Sequence, residues 1–198
     1  MSITETILKR IEKYASPCVF FISDFTDICD AEYARKVLSL AQHGGIIERL
    51  APGIYCKSKQ TKFGKLNPSL YEIAEAIAKR DHVKILPTGS AALNQLGIST
   101  QVPTNTVYLT TGSPRTVKIG NRNIKFIHGV PRNFIYSSRL FALLVQSLRN
   151  IGKDRVSEED LLAIQTVIMN NPGEIKKIRR DIGLSPVWMQ KLVMDIIK

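Results

Sequence analysis

Residues 22–57, ISDFTDICDAEYARKVLSLAQHGGIIERLAPGIYCK, restrict the fold more than any other stretch of the chain. Asp30 is a good helix N-cap. Behind it Ala34, Val37, Leu38 and Ala41 follow the i, i+3, i+4, i+7 spacing of one buried stripe, and Gly44 and Gly45 stop the helix. A shorter helix is expected just upstream, with Ser23 as its N-cap. Residues 46–50 then read as a strand, Ala51-Pro52-Gly53 has turn chemistry, and Ile54-Tyr55-Cys56 returns. Two short helices followed by a two-stranded ribbon make a winged helix-turn-helix. Ser2 and Glu5 have capping-box spacing. They open a first helix whose stripe Ile3, Ile7, Ile11 and Tyr14 would complete a three-helix core.

At about 100° per residue, the helix face opposite the stripe carries Glu32, Lys36, Ser39 and His43, flanked by Tyr33 and Arg35. Such side chains can meet a DNA groove. Arg49 precedes the ribbon's tip, and Lys57, Lys59, Lys62 and Lys65 follow it. Cations there would neutralise phosphates and set register without reading bases. The expected DNA-binding set is therefore Glu32, Tyr33, Arg35, Lys36, Ser39, Arg49, Lys57 and Lys59. The simpler alternative is a small helical domain with a solvated charged face.

The chain has 198 residues, which favours two domains over one. With 44% hydrophobic and 23% charged residues its composition is that of an ordinary soluble protein. No apolar run nears the roughly 20 residues that cross a bilayer, and the N-terminus lacks the order of a signal peptide. A cytoplasmic protein without membrane contact is expected. Cys18, Cys29 and Cys56 are odd in number and scattered, which suits free thiols in a reducing compartment. His43, His82 and His128 share no ligand spacing with them, so no metal and no cofactor are expected.

The net charge of +11 implies attraction to a polyanion. Its centre lies in residues 66–150, which carry +7 of it. From His82 through Lys153 there is no Asp or Glu, where average composition would place about six. Such a surface suits phosphate-rich partners or an acidic protein face. It also argues against catalysis, because carboxylates hold magnesium and act as general acids or bases in most hydrolytic and phosphoryl-transfer sites.

Lys65 to Ser69 reads as a boundary, giving domains at 1–66 and 67–198. Beyond it a helix to about Arg80, a strand over 83–86, a small-residue helix over 88–96, and a strand over 106–110 are expected. A hairpin then pairs 115–119 with 123–127 across Gly120-Asn121. Helices over 138–150, from Ser157 to Asn171-Pro172-Gly173, and after Ser185-Pro186 complete the chain. Between the last two, Ile175, Ile178 and Ile182 form an apolar face beside Lys176, Lys177, Arg179 and Arg180. That pattern reads as a two-helix packing unit rather than a second helix-turn-helix. The fold class is α+β, a winged helix-turn-helix followed by a mixed α/β domain ending in helices. Pro87 to Gly97, PTGSAALNQLG, has the Gly-Ser start of nucleotidyltransferases, but the next acidic residue is Asp154, so the required metal ligands are missing. No serine sits in a nucleophile elbow.

The succession of GIYCK, LPTGSAALNQLGISTQVP at Leu86 to Pro103 and VYLTTGSPRTVKIGNRNIKFIHG at Val107 to Gly129 resembles the AbiEi family of abortive-infection antitoxins. The resemblance implies an N-terminal domain that represses its own operon by binding inverted repeats in operator DNA. It implies a C-terminal domain that counters a nucleotidyltransferase toxin, with no enzymatic role. The hairpin cations Arg115, Lys118, Arg122 and Lys125 are then the candidates for antitoxicity. A winged-helix transcription factor whose second domain senses a small anionic ligand is the alternative.

Overall fold

The computed structural model describes residues 2–101 and 103–198, so Val102 of the second quoted run lies outside them. The expected capping box forms: Glu5 N donates to Ser2 Oγ at 3.1 Å and Ser2 N to the Glu5 carboxylate at 2.9 Å. It opens α1 (Ile3–Lys13). Ile7 and Ile11 are buried, whereas Ile3 is 45% exposed. The stripe therefore begins one turn later than expected, because helical side chains lean toward the N-terminus and the first residue overhangs the core. Tyr14, the C-cap, packs against Phe20 and Phe25.

The run CVFF forms β1 (Cys18–Phe21), a strand that falls between the two helices expected here and has no counterpart among the expected elements. The short helix expected next is one turn of 3-10 helix, Ile22–Phe25. Asp24 rather than Ser23 caps it, accepting from Phe21 N at 2.9 Å. Side chains of Ser, Asp and Thr compete for nearby backbone groups, and here Arg10 also donates to the Asp24 carbonyl at 2.8 Å. The same guanidinium grips both Asp27 carboxylate oxygens at 2.7 Å. That bond, above all, holds the Asp27 carboxyl below its ordinary value.

Asp30 caps α2 (Ala31–His43), accepting from Tyr33 N at 2.7 Å, and all four stripe residues are buried. The ribbon follows as β2 (Glu48–Ala51) and β3 (Ile54–Lys57). Gly53 turns between them at φ +74°, which a side chain would strain. The sheet order is β1-β3-β2, both pairs antiparallel. Phe20, Phe25, Ile47 and Tyr55 join the α1 and α2 stripes in one core. A second hairpin comes next, β4 (Lys59–Thr61) and β5 (Gly64–Leu66), then α3 (Leu70–Arg80) with a Ser69–Glu72 capping box.

The chain divides into two units, one of residues 1–82 with 117–122, the other of 83–116 with 123–198. The boundary expected at 66/67 falls inside the first unit. The helix after it packs on β1, and the Arg80 guanidinium lies 4.5 Å from the centre of the Phe21 ring. Beyond residue 82, β6 (Ile85–Pro87), α4 (Ser90–Gln95), β7 (Asn105–Thr110), β8 (Arg115–Ile119) and β9 (Arg122–His128) match the expected order, the hairpin end 117–122 being counted with the first unit. Their sheet runs β6-β7-β9-β8, with β7 and β9 parallel. Then come α5 (Arg139–Ile151), α6 (Glu158–Met169), α7 (Ile175–Asp181) and α8 (Val187–Ile196) around a core that includes Phe141, Leu144, Leu148, Ile164, Ile178 and Val193. Buried Asp181 accepts from Ser138 N at 2.8 Å and fixes the start of α5. The fold is thus mixed α+β, with eight helices and three sheets among the described residues.

Candidate nucleic-acid interface

Because one stripe of α2 is buried, its remaining surface is presented outward. Glu32, Tyr33, Arg35, Lys36 and His43 are all exposed and Ser39 is half-buried. Lys36 pairs with Glu32 one turn away at 3.0 Å. Exposed pairs of this kind contribute little, so a phosphate or base can displace it. Among the described residues Arg35 has no hydrogen-bond or ion-pair partner. His43 Nδ1 lies 2.7 Å from the Ser39 carbonyl and Tyr33 Oη 3.1 Å from Thr4 Oγ1, contacts that orient both rings. Leu40, 69% exposed, lies beside this face.

The expected cations divide by role. Arg49 is exposed on β2, and Lys59 and Lys62 are exposed on the second hairpin. Lys57 is not available to phosphate: its Nζ donates to the carbonyls of Glu12 at 2.6 Å and Tyr14 at 3.1 Å. A lysine at a helix C-terminus satisfies carbonyls left open there and opposes the helix dipole. Lys57 is thereby removed from the DNA-binding set and becomes a cap for α1. Lys65 reaches Glu48 at 3.3 Å.

Glu48 gathers three segments. It accepts from Ser58 Oγ at 3.1 Å and Asn67 Nδ2 at 2.9 Å as well as pairing with Lys65. Burial pushes its carboxyl up, but the bonds from Asn67, Lys65 and Ser58 outweigh that and hold it below the ordinary value. The base of the β4–β5 hairpin is thus tied to β2. Its tip presents Phe63, which is fully exposed. Sequence reasoning missed both residues. A glutamate in a basic ribbon looks like solvation, and a lone Phe inside KQTKFGK breaks no periodic pattern.

The antitoxicity candidates Arg115, Lys118, Arg122 and Lys125 are exposed but split over two sheet faces. The Arg115 guanidinium lies 5.4 Å from the Phe126 ring centre, so Arg115 and, by alternation, Arg122 share the face of buried Ile124 and Phe126. Lys118 and Lys125 point the other way. In the Gly-Ser segment Gly89 precedes α4 at φ +60°. At the C-terminal end Arg179 donates to the Ile197 carbonyl at 2.7 Å and Lys177 pairs with Glu174 at 2.6 Å, so that basic edge also fastens helix ends. The three cysteines are free thiols, and burial pushes Cys56 up to about 11. No helix among the described residues is long and apolar enough to cross a membrane.

The model of a family of unknown function, DUF6088, matches residues 6–176. The chain belongs to this family. The DUF6088 match runs from α1 into α7 and so takes in the α2 face, both basic hairpins and the Gly-Ser segment. No curated protein shows significant similarity to the chain.

Proposed function

We propose that the first unit is a winged helix-turn-helix that binds operator DNA, and that the chain is a cytoplasmic, non-enzymatic antitoxin and autorepressor countering a nucleotidyltransferase toxin. The DNA reading rests on the order α1, β1, a single turn, α2 and the β2–β3 ribbon, with the outer face of α2 unpacked and basic at Arg35 and Lys36. In this reading α2 enters the major groove. Arg35 or Lys36 can address guanine O6 and N7, while Glu32 can accept from cytosine N4. Arg49 and Lys59 supply phosphate contacts. Two copies would read the halves of an inverted repeat, as protein symmetry requires.

The antitoxin part is supported by the AbiEi resemblance and by the acid-free segment from His82 to Lys153. Its cations would face an acidic toxin surface or a shared nucleic acid. Selection by the full chain from a randomised duplex pool should enrich an inverted repeat. Co-expression with a neighbouring nucleotidyltransferase gene should restore growth, and the double reversal Lys118→Glu/Lys125→Glu should abolish rescue while operator binding persists. Rescue by that folded double variant, and by Arg115→Glu/Arg122→Glu, would remove the hairpin from the antitoxin function. A pool with no enriched sequence would remove the DNA reading.

A further inference from the structure

The β4–β5 hairpin has no core of its own: every residue of both strands is exposed. It is nevertheless a defined arm. Thr61 Oγ1 donates to the Gly64 carbonyl at 2.7 Å and accepts from Phe63 N at 3.2 Å, closing the two-residue turn Lys62-Phe63. Gly64 completes the turn at φ +112°, where a side chain would be strained. At the other end Glu48 gathers Ser58, Lys65 and Asn67. The arm is thus braced at both ends while its most apolar side chain, Phe63, touches nothing that would bury it. Lys62 neighbours Phe63 in the turn, Lys59 and Lys65 lie farther back on the strands with Lys65 held by Glu48, and no acidic residue falls between positions 59 and 66.

An exposed aromatic does not serve folding. On a narrow cationic arm it matches one occupant well, the stacked bases of a polyanionic duplex, because apolar side chains that wedge between base steps unstack and kink DNA from the minor groove. We infer that Phe63 is such a wedge: the β4–β5 arm enters the minor groove, Lys59 and Lys62 engage the flanking phosphates, and the ring inserts between two base pairs. The inference rests on the DNA-binding reading and adds to it a deformation of the duplex. A two-residue tip suits a groove about 6 Å wide. Specificity then comes partly from the base step that kinks most easily, a pyrimidine–purine step.

The test uses the full chain and a duplex enriched by it from a randomised pool, labelled at both ends for energy transfer and carrying 2-aminopurine at successive positions. Wild type should shorten the end-to-end distance and raise fluorescence at one step. Phe63→Ala should lose both signals and bind on the order of tenfold more weakly, whereas Phe63→Trp should keep them. Because Phe63 is fully exposed, circular dichroism should show all variants folded. Wild-type bending, fluorescence and affinity in Phe63→Ala would overturn the wedge and leave the DNA reading standing. Binding of anionic vesicles that depends on Phe63, with DNA unaffected, would also overturn it. If the wild-type chain enriches no duplex, the wedge and the DNA reading fail together.

Discussion

Lys57 and Arg49 belong to neighbouring strands of one ribbon, yet their surroundings give them different work. Lys57 holds the last carbonyls of α1 with two charge-assisted bonds, so Lys57→Ala should cost about 1–2 kcal/mol in urea unfolding. Arg49→Ala, on open surface, should stay within about 0.5 kcal/mol. Glu48 gives a pH signature. Its carboxyl is depressed in the folded chain, so its contribution is complete above the unfolded glutamate value of about 4.3 and is lost as pH falls through the folded value. Glu48→Gln lacks that contribution. The stability gap between wild type and Glu48→Gln should therefore be largest near pH 6–7 and close in the acid range. With the side chain about a third exposed the gap should stay under about 1 kcal/mol.

Among the elements, α3 decides how much chain the first unit needs. Its Ile73, Ala74 and Ile77 are buried, it packs on β1, and Arg80 covers Phe21. A fragment of residues 1–66 should melt well below one of residues 1–82; equal melting temperatures would detach α3 from the unit. What the sequence made legible follows the same physics. The α2 stripe and the caps at Ser2 and Asp30 were readable because a half-buried helix writes its period into the chain and caps are local. β1 was hidden because four apolar residues carry no period. The β4–β5 arm was hidden because neither face is buried and nothing alternates. The packing of α3, like the Lys57 anchor on residues more than forty positions away, depends on tertiary contacts that no local pattern reports. The α2 face was therefore legible, whereas the Glu48 brace and Phe63 emerged only with the hairpin.

At the scale of the whole molecule, the first unit supplies a patterned surface and residues 66–150 carry most of the excess charge. These make different electrostatic contributions. Base contacts set discrimination, while phosphate contacts set the salt dependence, at a slope of about −0.9 per neutralised phosphate. The most direct test is a salt-titrated anisotropy measurement of the full chain, Arg35→Ala and Arg49→Ala on an enriched operator duplex and on a random one. Arg35→Ala should lose about 1–3 kcal/mol of discrimination, and Arg49→Ala should weaken both duplexes alike and lower the salt slope by about one. Equal affinity and slope for all three proteins on both duplexes would contradict DNA binding through this face.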